Sequence, residues 1–103
     1  MEVSTKVKKV SDITEESVAD YLRLDEVTDS EINTLTTLIS ISTSYIKSYT
    51  GLDDAGVDKY PEFVIVVGIL CQNMWDTRTM YVDSKYLNDT VQSILAMHSV
   101  NLL

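Results

Sequence analysis

The groups in this chain that could do chemistry are few, and they do not combine. Cys71 is the only cysteine and lies in a stretch without charge, so it reads as a buried small hydrophobe rather than a nucleophile. His98 is the only histidine, which leaves a metal ion short of ligands and a catalytic base without a nucleophile beside it. It reads as a surface residue at a helix end. The acid pairs Glu15/Glu16, Asp25/Glu26 and Asp53/Asp54 fall at helix starts and turns, where carboxylates serve backbone amides, and form no acid/base dyad. Arg78 closes the run Trp75, Asp76, Thr77, Arg78 at a helix end. A cation there complements the helix dipole and can bond Asp76, nearby carbonyls or an acid of a neighbouring subunit, with the local role favoured. Trp75 reads as a core side chain. These residues predict a structural part, not an enzyme, with no metal and no cofactor.

Composition sets the frame around those residues. A chain of 103 residues with 45% apolar content makes one modest core, and three Gly with one Pro argue against a loop-rich protein. Sixteen acids against eight bases give a net charge of −8, so the surface is not expected to wrap nucleic acid phosphate. No apolar run reaches the ~18 residues that span a bilayer, and no apolar stretch follows Lys6, Lys8 and Lys9, so neither a membrane span nor a signal peptide is expected. A cytoplasmic site of synthesis and a reduced Cys71 agree with that.

Four helices must position these groups. Thr14 ahead of Glu15 and Glu16 caps a short helix over 15–22. Thr28 and Glu31 form a capping box, and from there Ile32, Leu35, Ile39, Ser42, Ile46 and Tyr49 recur at helical spacing, with Leu38, Ile41 and Tyr45 widening the stripe. The rest of that helix is Thr and Ser, whose hydroxyls can return to the carbonyl a turn back. Gly51 is the expected left-handed stop, with Leu52 folding back on the last turn. Residues 53–59 read as a loop. Pro61 opens a third helix running to Arg78, and Gly68 within it marks close helix approach. Residues 79–86 read as a loop, and Asn88 or Asp89 caps a last helix through Val91, Ile94, Leu95 and Met97. Neither 32–46 nor 63–75 carries a charge, so the two long helices are expected to pair as a hairpin buried on most sides. The fold class is all-α, a small bundle of about four helices on a long helical hairpin. A mobile arm is expected over 1–12, in which Val3, Val7 and Val10 keep no clear period. The helical domain covers 13–98, and a tail over 99–103 carries Val100, Leu102 and Leu103.

The order of these signals resembles one family. A short acid-capped helix ends in Tyr21-Leu22-Arg23-Leu24-Asp25, an apolar helix ends in Tyr45-Ile46 and Tyr49-Thr50-Gly51, and a Pro61-led helix closes on Trp75-Asp76-Thr77-Arg78. Over residues 13–98 this is similar to the head-tail connector, or head-completion, proteins of long-tailed bacteriophages. The resemblance implies a virion protein at the head–tail interface, assembled in the host cytoplasm as a homo-oligomeric ring of about a dozen copies. It implies the portal protein on one side, a tail-side connector, stopper or terminator on the other, and DNA only as passing cargo during genome ejection. The chain departs from the family in its longer arm and in a last helix with His98 where basic residues are common.

The surfaces expected to meet the portal or a neighbouring subunit follow from side-chain type. They are Ser40, Thr43, Ser44 and Lys47 on the small-residue face of the second helix, Arg78, Tyr81 and Lys85 at and beyond the third, and Val100, Leu102 and Leu103 in the tail. The sparse bases Arg23, Lys47, Lys59, Arg78 and Lys85 are the expected cross-subunit partners for acids. Two other readings fit the composition: a small acidic helical adaptor or regulator of one protein, and a DNA-mimicking inhibitor. The second fits less well, since its carboxylates should line a face at phosphate-like intervals and these gather at caps and turns.

Overall fold

The computed structural model describes residues 7–83, 85 and 87–100. Most helix starts are set by a side chain that answers a free backbone amide. In α1, Glu15–Tyr21, Thr14 Oγ1 accepts from the Ser17 N–H at 3.2 Å while Ser17 Oγ accepts from the Thr14 N–H at 2.9 Å. In α2, Asp29–Thr50, the expected capping box forms, with Thr28 N–H donating to Glu31 at 3.0 Å and Glu31 N–H to Thr28 at 3.2 Å. Asp53 caps α3, Asp54–Asp58, a short helix where the sequence predicts a loop. The acid turn signals there are a cap and a first turn, which a reading based on Gly and Asp alone takes for irregular chain. Pro61, with helical dihedrals, leads into α4, Glu62–Thr77, and Asn88 caps α5, Asp89–Met97, through the Val91 N–H at 2.8 Å. No strand occurs among the described residues.

Helices α2 and α4 lie antiparallel and form the centre of the molecule. Leu35, Leu38 and Ile46 of α2 meet Phe63, Val66, Val67, Leu70, Cys71 and Met74 of α4, and Val91 and Leu95 of α5 seal one side. Val18, Ala19 and Leu22 of α1 close another. Ser42 lies at the α2–α4 contact, where its hydroxyl faces Cys71 Sγ at 3.5 Å. Burial pushes the Cys71 thiol up to about 11, so it stays protonated and inert. Gly68, expected to mark close helix approach, is covered by a side chain: a Cβ there would stand 3.0 Å from the Tyr21 ring of α1.

Three expectations change. The pair is not buried on most sides throughout: α4 is largely enclosed, but α2 keeps an open face along its length. Trp75 is half-buried, and Met74 is the fully enclosed side chain at that level, because the helix rotation set by Phe63, Val67 and Leu70 carries position 74 inward. The arm expected over 1–12 joins the fold before its end. Val10–Asp12 form a 3₁₀ turn with Val10 buried, and the Ser11 N–H donates to Asp58 of α3 at 2.9 Å. Residues 1–6 of that arm lie outside the described residues.

Candidate interaction surface

The open face of α2 follows from its serine and threonine content. Thr34, Thr36, Thr37 and Thr43 each return a hydroxyl to the carbonyl four residues back, at 2.9 to 3.2 Å, so these polar atoms are satisfied within the helix. Thr36 also donates to Glu15 of α1, which fixes α1 along one flank. Ser40 and Ser44 are exposed and, with Asn33 and Thr37, form an outward row of small uncharged side chains one helical turn apart. Thr43 is half-buried beside that row. Lys47, expected to reach a neighbouring subunit, is engaged within the chain: its Nζ lies 2.8 Å from Asp54 Oδ1. The turn at Gly51, in the left-handed region with φ 79°, brings α3 back beside the end of α2 and creates that pair.

At the other end of the α2–α4 pair the surface is open and apolar. Arg78 ends α4 in the left-handed conformation, φ 59°, with the Thr79 N–H reaching back to Met74 at 3.0 Å. Its guanidinium lies over the Trp75 ring at 5.4 Å, a local contact other than the bond to Asp76 the sequence suggests, and Asp76 is held by Gln72 instead. Arg78, Trp75, Thr79 and Met80 together with Thr34 and Leu38 of α2 line a cleft of about 220 Å³. Met80 and Tyr81 beyond it are exposed. Lys85 stands 4.0 Å from Asp83 of the same loop. Ser84 and Tyr86 of that loop lie outside the described residues.

The opposite end is tied by a residue whose role the sequence does not reveal. His98, expected at the surface, has a side chain only 11% exposed. It stacks on Tyr60 with centroids 3.9 Å apart, meets Phe63 edge-on at 5.3 Å, and places Nε2 3.2 Å from Glu62 Oε2. The Glu62 carboxyl is held below its usual value by its own backbone amide at the start of α4 and then by the His98 ring. Two residues after His98, the Val100 N–H donates to the Thr50 carbonyl at 2.6 Å, so the expected tail begins anchored to the end of α2. The Val100 side chain itself is exposed, and Leu102 and Leu103 lie outside the described residues. No sequence period could have shown this cluster, since Glu62 and His98 sit on different helices far apart in the chain.

A third feature is an apolar groove of about 380 Å³ between α1 and α4, bordered by Tyr21 and Ile65. No group of three His, Cys, Asp or Glu residues able to hold a metal ion occurs among the described residues. No helix among them is long and apolar enough to cross a membrane. No protein-family model matches the chain, and neither curated proteins nor solved structures give a match.

Proposed function

We propose that this chain is a structural subunit of a head-completion ring, of the kind that extends the DNA channel beneath a phage portal and docks the tail. The observation that carries the reading is the outward row on α2. In a chain of charge −8, the longest helix offers a neighbour exposed side chains at Asn33, Thr37, Ser40 and Ser44 that are small and uncharged. Side-by-side packing of identical acidic subunits needs such a face, because like charges brought together there would cost free energy. Ile32, Met80 and Tyr81 expose apolar area near the same end of the helix pair and extend the contact. A pore lined by acidic subunits repels duplex phosphate, so DNA passes without adhering. The portal would then be the template on which the ring closes, and the isolated chain can remain monomeric.

The test is mass measurement of the purified chain with and without purified portal. The reading expects a ring-sized increment on the portal, lost when Ser44→Lys places a charge on the outward row. A one-to-one complex with some other protein, and no portal binding, would replace it with the adaptor reading. That alternative has its own support in the cleft over Trp75 and Arg78, which is large enough for a single apolar side chain of a partner.

A further inference from the structure

We propose that the apolar groove between α1 and α4 is a docking site for residues 1–6 of the same chain. Its floor is Val18, Val67 and Gly68, all buried, and its rim includes Tyr21 and Ile65, which are 48% and 53% exposed. The missing side chain at Gly68 sets its depth, since the Tyr21 ring rests where any larger residue would intrude. Two large apolar side chains half in water beside an open groove are surface that a covering segment would remove from solvent.

The chain itself names the occupant. Val7, the first described residue, already lines the groove, so the six residues before it start from inside the site. Fully extended they reach about 20 Å. Residues 1–10 as a whole keep no period, but the first seven alternate: Met1, Val3, Thr5 and Val7 share one face of an extended chain, and Glu2, Ser4 and Lys6 the other. Asp20 and Arg23 also line the groove and form no ion pair with another described residue. They are of opposite sign, as are Lys6 and Glu2, so the segment can bring a counter-charge to each. Tethering through Val7 gives the segment a local concentration that a free partner would have to match. The inference does not rest on the ring reading.

The experiment is NMR of the full chain, with nuclear Overhauser contacts sought between the Val3 methyls and both the Tyr21 ring and the Ile65 methyls. A mixture of labelled and unlabelled chains separates contacts within a chain from contacts between chains. The expected result is contacts within one chain, unchanged on dilution; in Val3→Asp the Tyr21 ring and Ile65 methyl resonances should move to solvent-exposed positions, and in Ile65→Asp the Val3–Tyr21 contacts should be lost while circular dichroism keeps its helical signal. Val3→Asp changes a residue outside the described fold, so it remains informative if Ile65→Asp unfolds. Absence of these contacts in the wild-type chain would overturn the proposal. Contacts found only between chains would overturn it too, by making a second copy the occupant.

Discussion

The two ends of the α2–α4 pair are closed by different means. At one end Tyr60, Phe63 and His98 interlock, Glu62 meets the imidazole, and the backbone at Val100 is bonded to Thr50, so three separate segments hold one another. At the other, Arg78 covers the half-buried Trp75 from within its own turn, and Met80 and Tyr81 stand in solvent beside a cleft. The difference teaches where stability and recognition are divided. Contacts between distant segments resist unfolding, whereas a rim satisfied only by near neighbours leaves apolar surface for something else to bind.

Large-to-small substitution is the strongest test of that division. Phe63→Ala should cost about 3–5 kcal/mol, because it empties a fully enclosed site and removes the support of two rings. Trp75→Ala, at the open end, should cost about half as much despite the larger ring, since it is already partly solvated. Equal losses in denaturant melts would mean the ends are closed alike.

His98→Ala should follow, at about 1 kcal/mol or a little more, since it removes the stacked contact with Tyr60 and frees the chain near Val100. Hydrogen exchange at the Val100 amide reads the second part directly, and full protection in the variant would show that the bond to Thr50 stands alone. Acid titration probes the same end with a definite sign. The folded-state value of Glu62 is depressed, so its contribution is present above the unfolded value of about 4.5 and fades as pH falls through the lower folded value. Glu62→Gln should therefore flatten part of the acid limb of the stability curve.

A finer test uses the two arginines with positive φ. Arg23 and Arg78 both end helices in the left-handed region that favours glycine, but only Arg78 covers a ring. Arg23→Gly should stabilise by about 1 kcal/mol as the steric cost is relieved. Arg78→Gly should gain less, because the cation–π contact it forfeits is worth about 0.5–1 kcal/mol. Identical shifts in melting would remove the energetic role of the Trp75 contact. The smallest stability effect is expected for Ser44→Lys, within about 0.5 kcal/mol of the parent, and any larger loss would mean the outward row supports the fold instead of an assembly.

The long helices, their capping boxes, the Gly51 stop, the Pro61 start and the Asn88 cap are all legible in the sequence, because each depends on residues within about a turn of one another. That something packs close at Gly68 is legible too, but not that it is the Tyr21 ring. The site is less so. Ser40 and Ser44 face outward as their type suggests, yet Lys47 is drawn to Asp54 by a helix the sequence disguises as a loop. Which of Met74 and Trp75 points inward, and whether Val10 enters the core, depend on the rotation and spacing of packed helices, which local periodicity does not carry. His98 shows the limit most plainly. Alone in the sequence it has neither partner nor period, and only the meeting of the α5 end with the α4 start gives it a carboxylate, two rings and a sheltered place.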